Sequence, residues 1–164
     1  MAVSPFIKMY WGRPTIKVEF EQRKVNGDIW LECLLTNQPT SWIFSHIFGV
    51  ERDTADDIWA AFSIEEDRTH RIVVPLAPTQ LVKAGCEPTT HISLPSSLLP
   101  MARFAIIFRR QNDKEVKLAQ NGNFQVLPKG QYVVNAIILV SGRVQRASRR
   151  FIIQNDSEID WLCS

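Results

Sequence analysis

The chain has 164 residues, of which 45% are hydrophobic and 22% are charged, and its formal net charge is +2. These values are typical of soluble globular domains and exclude collagen-like repeats, disulfide-dense mini-proteins and long disordered tails. A chain of this length buries enough surface to fold without a metal ion or disulfide bonds. The small net charge hides an asymmetry, because residues 51–67 carry seven acidic side chains and one basic one, whereas residues 101–153 carry ten basic and two acidic ones.

Residues 1–13 are predicted to form an N-terminal arm. We expect no secretory signal here, since no basic segment is followed by an apolar stretch and a small-residue cleavage site. The arm mixes apolar, aromatic and basic side chains: Phe6, Ile7, Lys8, Met9, Tyr10, Trp11 and Arg13. This mixture is typical of a segment at a membrane surface, and its basic flank favours the cytoplasmic side. It also suits an arm that packs across the open end of the core, so both interpretations stay open.

Alternation of apolar and polar residues predicts a β-hairpin after the arm. The apolar face of the first strand, within residues 15–21, consists of Ile16, Val18 and Phe20, and that of the second consists of Ile29, Leu31, Cys33 and Leu35. Such period-two alternation indicates a strand with one buried face. The Asn26-Gly27 pair between the two runs favours a type I′ turn, because both residues tolerate the positive φ angles that this turn requires. The two strands are therefore predicted to pair antiparallel.

One short helix is predicted near residues 42–48. Ser41 is a candidate N-cap, and Gly49 is placed to end the helix. The apolar side chains on one side of this helix are Trp42, Ile43 and Ile47. A helix of seven or eight residues is too short to be stable alone in water, so we expect it to pack by its apolar side.

Five further segments are predicted as strands, at residues 57–64, 71–75, 102–109, 132–140 and 145–153. In the first of them, Trp59 lies on the face opposite the apolar one. The segment at 132–140 is nearly all apolar, which predicts a central strand buried on both faces. Residues 76–100 and 111–130 are rich in Pro, Gly, Ser, Thr and Asn, and are predicted as loops. Short strands without a sustained helical pattern favour an antiparallel sandwich or barrel.

The end of the chain carries a resemblance to a known superfold. Residues 127–132 read Leu-Pro-Lys-Gly-Gln-Tyr and lead into a long apolar strand, a Ser-Gly turn and a last strand that ends Arg-Phe-Ile-Ile. This part resembles the last two strands of immunoglobulin-like or fibronectin-like sandwiches, including bacterial-type Ig-like domains. The resemblance implies that the hydroxyl of Tyr132 ties down the corner before its strand. The Cys-Trp-Cys core of antibody domains is missing, because Cys33 has no partner cysteine in that strand.

The predicted fold is thus all-β, an antiparallel immunoglobulin-like β-sandwich of about seven to eight strands with one short helix near 42–48. We expect a single domain over residues 14–154, preceded by the arm at 1–13 and followed by a C-terminal tail at 155–164.

No catalytic motif, cofactor site or metal site is predicted, so we expect the protein not to be an enzyme. The three histidines, His46, His70 and His91, are far apart, and the chain has no phosphate-binding glycine loop. Cys33, Cys86 and Cys163 form no CxxC pair and cannot make a four-thiolate zinc site. We expect them to be reduced, as in the cytoplasm, although a disulfide bond between two of them stays open. The acidic residues at 51–57 lack the pattern of a calcium loop and are predicted to be a solvated loop.

Five residues are predicted to form a partner surface: Trp59, Arg143, Arg146, Arg149 and Arg150. Trp59 would contact either the helix at 42–48 or a partner protein. The arginines could follow a nucleic-acid backbone or protect an exposed edge strand from aggregation.

We therefore predict an interaction or accessory domain that recognises a protein partner. Its expected location is cytoplasmic, and three arrangements stay open: a free domain, a domain near a membrane through the arm, and the soluble part of a membrane-associated protein. The alternative is a β-barrel that binds single-stranded nucleic acid with its basic C-terminal strands. An isoelectric point near 8.5 disfavours a dedicated nucleic-acid binder. A small hydrolase assembled from distant residues is a third hypothesis, disfavoured because no matched nucleophile and base are found.

Overall fold

The computed structural model describes residues 9–119, 125–154 and 158–162. These ranges contain one helix of 7 residues and twelve strands, and residues 9–11 are also helical. In chain order they are β1 (Ile16–Val25), β2 (Asp28–Asn37), α1 (Trp42–Phe48), β3 (Ala55–Glu66), β4 (Ile72–Pro78), β5 (Val82–Lys83), β6 (Ile92–Leu94), β7 (Ala102–Arg109), β8 (Val116–Leu118), β9 (Val126–Leu127), β10 (Gly130–Val140), β11 (Arg143–Ile153) and β12 (Ile159–Trp161).

The strands form two antiparallel sheets that pack face to face. The first sheet has the order β1-β2-β7-β8-β9, and β5 also pairs with β7. The second sheet has the order β12-β11-β10-β3-β4, and β6 also pairs with β3. The predicted all-β antiparallel sandwich is therefore confirmed, and the described strands do not close into a barrel. The seven predicted strands are all present, and the five additional ones have only two or three residues each, which is too short for alternation to reveal them.

Both long hairpins turn on two residues with positive φ angles. Asn26 and Gly27, with φ angles of 52° and 86°, connect β1 to β2 as the sequence predicts. Ser141 and Gly142, with φ angles of 46° and 77°, connect β10 to β11. A turn of two consecutive residues with positive φ angles matches the right-handed twist of the flanking strands, so each turn sets the register of its hairpin.

The core lies between the sheets. Cys33, Phe62 and Phe104 are fully buried, and the rings of Phe62 and Phe104 come from opposite sheets with centroids 6.0 Å apart. Along β10, buried residues alternate with half-buried ones. The prediction that this strand is buried on both faces is therefore wrong. Its apolar outer residues lie on a face that stays partly in contact with water, as the outer face of an antiparallel sheet can.

The corner before β10 is closed by Tyr132. Its hydroxyl donates a hydrogen bond of 2.7 Å to the carbonyl oxygen of Pro128. The ring is 2% exposed and stacks on Phe151 with centroids 5.4 Å apart. The hydroxyl thus fixes the loop that enters the strand, which is the contact that the sequence resemblance implies for this residue.

Side chains that cross from one sheet to the other close one side of the sandwich. Gln145 Nε2 donates to the carbonyl oxygen of Ile16 at 2.6 Å, and Gln22 Nε2 donates to that of Ile159 at 2.9 Å. Ile159 belongs to β12, which pairs with β11. The segment at 155–164, predicted as a tail, therefore supplies a strand of the second sheet. That strand has three residues, too few for the sequence pattern to indicate it.

Different segments of the chain meet at the two ends of the sandwich. The register Ile16↔Asn37, together with Leu35↔Ala102, places the beginnings of β1 and β7 beside the end of β2. Ser141 Oγ donates to the carbonyl oxygen of Asp56 at 3.3 Å, so the turn between β10 and β11 lies at the same end. This end is called the Asn37 end below, and the opposite one the Tyr132 end.

Candidate binding surfaces

The structure divides the five predicted partner-surface residues between two faces. Trp59, Arg146 and Arg150 lie on the outer face of the second sheet. Trp59 pairs with Leu139 on β10, and Leu139 pairs in turn with Val144 on the outer face of β11. Arg143 and Arg149 lie on the face of β11 that points toward the first sheet, because they pair with the buried residues Val140 and Val134, respectively. The five residues therefore do not form one continuous surface.

Two of these arginines are already engaged within the chain. Arg149 donates from Nη1 to the carbonyl oxygen of Phe20 at 3.1 Å, and its guanidinium lies 5.3 Å from the centre of the Trp161 ring. Arg150 forms an ion pair with Asp67, with 3.1 Å between Nε and Oδ1. Both contacts hold parts of the sandwich together, so these two residues are less available to a partner than Arg143 and Arg146, which are exposed.

The helix α1 forms where the sequence predicts it but does not bury its apolar side. Its C-terminal cap is Gly49, which has a φ angle of 59° and donates its N–H to the carbonyl oxygen of Ser45. Ser41 occupies the N-cap position as predicted, but its side chain makes no cap hydrogen bond. Trp42 is 74% exposed and Ile47 is 67% exposed. The side formed by Trp42, Ile43 and Ile47 therefore faces solvent, contrary to the expectation that it packs, whereas Phe48 is half-buried.

Asn37 ties together the segments at its end of the sandwich. Its side chain is fully buried, and Oδ1 accepts a hydrogen bond of 3.2 Å from the backbone N–H of Thr15. Nδ2 donates at 3.0 Å to the carbonyl oxygens of both Asp53 and Leu94. Its own carbonyl oxygen accepts from the N–H of Ser97 at 2.8 Å. The side chain thus joins the N-terminal segment to the loop before β3 and to the end of β6, and the backbone carbonyl adds the loop between β6 and β7.

Exposed apolar side chains are concentrated at the Asn37 end. Of thirteen large hydrophobic side chains that are exposed in the described residues, eight come from three segments here. These eight, called the apolar end below, are Met9, Tyr10, Trp11, Trp42, Ile43, Ile47, Leu98 and Leu99. Large exposed apolar patches on a soluble chain mark interaction sites, so the apolar end is the strongest candidate for a binding surface.

Sequence reasoning missed part of the apolar end. Leu98 and Leu99 lie in the segment predicted as a loop at 76–100, and Leu98 is 85% exposed. The signal that could have identified them is a pair of leucines between Ser97 and Pro100, since exposed runs of apolar residues in turn-rich loops usually serve a function. Of the N-terminal arm, Met9, Tyr10 and Trp11 are exposed, whereas Phe6, Ile7 and Lys8 lie outside the described residues.

Acidic side chains border the apolar end. Glu51, Asp53 and Asp56 are exposed and form no ion pair with any described residue. The neighbouring Asp57 contacts His91, with 2.7 Å between Oδ1 and Nδ1, and both of these side chains are exposed. A surface contact of this kind contributes little stability. In the described ranges no group of three or more His, Cys, Asp or Glu side chains could hold a metal ion.

The Tyr132 end contains a cleft of about 760 Å³ between the loop before β10 and the turn after β3. Glu66 lines it and accepts a hydrogen bond of 2.6 Å from the Thr69 hydroxyl. This bond and the one from Arg71 lower the pKa of Glu66, so the carboxylate is ionised and already has donors within the chain. Arg68 and Lys129 are exposed at the rim. The hydrogen bonds from Thr69 and Arg71 to Glu66 stabilise the turn between β3 and β4.

Comparisons with known proteins do not identify a relative. No family model, curated protein or solved structure matches the chain. Among the helices that the structure describes, none is long and apolar enough to cross a membrane. The surfaces themselves are therefore the basis for assigning a function.

Proposed function

We propose that the protein is a non-enzymatic interaction domain that binds a protein partner through the apolar end. The observation that carries this proposal is the concentration of eight exposed hydrophobic side chains on segments that Asn37 holds together. Tryptophan, tyrosine and methionine are enriched in protein interfaces, where a few buried aromatic anchors supply most of the binding energy. Trp42, with a side chain that is largely exposed, is the leading candidate for such an anchor.

The charge of the segment that contains α1 favours a protein over an anionic membrane. Residues 41–57 carry four acidic side chains and one basic one. The cytoplasmic leaflet is negatively charged and attracts segments rich in lysine and arginine. The acidic residues beside α1 would repel this leaflet. The same residues complement a protein surface that has basic residues around an apolar centre. Membrane association through residues 1–13 is therefore an outcome to be tested and is not the proposal.

We also propose that the sandwich belongs to the immunoglobulin-like superfold. In that superfold the first, second and fifth strands share one sheet, while the third strand pairs in the other sheet with the last two. The succession of β1, β2 and β7, facing that of β3, β10 and β11, supports this assignment. The hydrogen bond from Tyr132 to Pro128 gives further support. The fold alone does not identify a partner, which is why the proposal rests on the apolar end.

Binding of single-stranded nucleic acid has less support. That alternative requires a barrel with basic strands along one track, whereas the described strands form an open sandwich. Arg149 is held between the sheets and Arg150 is paired with Asp67, which leaves Arg143 and Arg146 on different faces. Two separated arginines do not follow a phosphate backbone.

Site-specific photo-crosslinking in the source cell tests the proposed function. A photoreactive amino acid replaces Trp42 or Leu99 at the apolar end and, as a matched control, the exposed Leu76 on β4. We expect one discrete protein adduct from both positions at the apolar end and none from Leu76. Adducts with phospholipid alone, the same adduct from all three positions, or no adduct would each contradict the proposal.

A further inference from the structure

A groove with two arginines lies beside the apolar end. It has a volume of about 520 Å³ and runs between the beginning of β1 and the hairpin of β10 and β11. Arg13 and Arg143 contribute the charged part of its lining, whereas Pro14, Val140 and Val144 contribute apolar surface. Arg13 follows the exposed residues 9–11 in the chain, so the groove and the apolar end are adjacent.

The groove is positively charged without internal compensation. Its lining contains two guanidinium groups and no carboxylate. Within the described residues, neither Arg13 nor Arg143 takes part in an ion pair or a side-chain hydrogen bond. Arg13 is half-buried, and so part of its hydration is already lost. A guanidinium that is partly dehydrated and has no counter-ion gains the most binding energy from a carboxylate, because it can bind a carboxylate through two parallel hydrogen bonds.

We propose that the groove between Arg13 and Arg143 receives a carboxylate side chain of the protein partner, carried on a segment that has an apolar side chain next to it. This inference rests on the proposed function, because it names a feature of the partner that the apolar end binds. The argument for the occupant is charge complementarity, together with the apolar walls formed by Val140 and Val144. Residues 1–8 of the chain itself contain no carboxylate side chain, so they do not match this chemistry.

A titration of the isolated full chain with benzoate, followed by the backbone amide signals in NMR, tests the inference without the partner. Benzoate joins a carboxylate to an apolar ring, and benzamide is its uncharged match. We expect benzoate to shift the amide signals of Thr15, Val144 and Gln145 in a saturable manner, and benzamide to leave them unchanged. Arg143→Gln should weaken benzoate binding about tenfold, because a charge-assisted hydrogen bond is lost.

Arg146→Gln is the matched control, since Arg146 is exposed on the other face of the same strand. It should bind benzoate like the wild type. Arg13→Gln provides a second variant and should weaken binding in the same way as Arg143→Gln. Equal shifts with benzamide, wild-type affinity for benzoate in both groove variants, or shifts confined to another surface would overturn the inference. A protein adduct at Trp42 without benzoate binding would contradict the carboxylate site in the groove and leave the proposed function standing. Benzoate binding without a protein adduct would contradict the proposed function and also the proposal that the carboxylate belongs to a protein.

Discussion

Arg149 joins the two sheets by donating a hydrogen bond of 3.1 Å to the carbonyl oxygen of Phe20. Phe20 lies on β1, at the edge of the first sheet, whereas Arg149 lies on β11 in the second. The guanidinium also covers the ring of Trp161, which contacts Phe20 with ring centroids 5.2 Å apart. Arg149 thus stabilises the sandwich along an edge where β1 would otherwise present unpaired carbonyl groups.

Replacement of Arg149 by alanine should therefore destabilise the protein. The variant loses a charged hydrogen bond and the cover over Trp161, and we expect a decrease of about 1–3 kcal/mol in the free energy of unfolding. Urea denaturation measures it. Arg146→Ala is the control, because Arg146 is exposed on the outer face, and its change should stay within about 0.5 kcal/mol. Equal effects of both substitutions would show that the contact with Phe20 contributes nothing specific.

Tyr132→Phe should lower stability through the corner before β10. The substitution removes the hydrogen bond to Pro128 and leaves its carbonyl oxygen without that donor, at an expected loss of about 1–2 kcal/mol in urea denaturation at pH 7. Tyr10→Phe, at an exposed position, should have no measurable effect. A Tyr132→Phe variant as stable as the wild type would argue against a structural role for this hydroxyl.

The same tyrosine predicts how stability depends on pH in alkaline solution. Burial raises the pKa of Tyr132, and the Glu66 carboxylate adds to the rise. The unfolded chain releases this proton near pH 10, before the folded chain does. The stabilisation is therefore complete below about pH 10 and is lost as the pH rises through the folded-state pKa. Wild-type stability should fall more steeply than that of Tyr132→Phe over this range, and parallel curves would refute the assignment.

Much of the fold could be predicted from the sequence because it depends on local signals. The turn at Asn26-Gly27 and the alternation along β1 and β2 predict an antiparallel hairpin, which the structure confirms. The direction of α1 could not be predicted, because the amphipathic pattern shows which side is apolar but not what covers it. Alternation along a β-strand predicts that Arg149 and Arg146 lie on opposite faces of β11. It does not predict the role of Arg149, because the hydrogen-bond acceptor of this side chain is Phe20 on β1, 129 residues away along the chain.

Asn37→Ala should loosen the end of the sandwich that carries the apolar surface. The substitution removes three side-chain hydrogen bonds and leaves the N–H of Thr15 and two buried or partly buried carbonyl groups without these partners. We expect a loss of about 2–4 kcal/mol in urea denaturation and faster hydrogen exchange at the Thr15 amide. Asn112→Ala, at an exposed turn, serves as the control. Unchanged exchange at Thr15 would contradict the role assigned to Asn37.

The two described cysteines should differ sharply in reactivity. Burial raises the pKa of the Cys33 thiol, and this residue is fully inaccessible, whereas Cys86 is exposed. The thiolate is the reactive form, so in a Cys163→Ser background only Cys86 should react rapidly with Ellman's reagent. Cys33 should react only as the protein unfolds, and guanidinium should expose both thiols. Rapid reaction of two thiols in the folded protein would place Cys33 outside the core.

The central claim, that the apolar end is the docking surface, is tested most directly by the affinity of the crosslinked partner, measured by isothermal titration calorimetry with the purified proteins. Trp42→Ser combined with Ile47→Ser should weaken binding at least about tenfold, because interface anchors of this kind each contribute about 2 kcal/mol or more. Ile72→Ser combined with Leu76→Ser removes similarly exposed side chains from β4 and should leave the affinity unchanged. Equal affinities of the two double variants, or a loss confined to the β4 variant, would contradict the account.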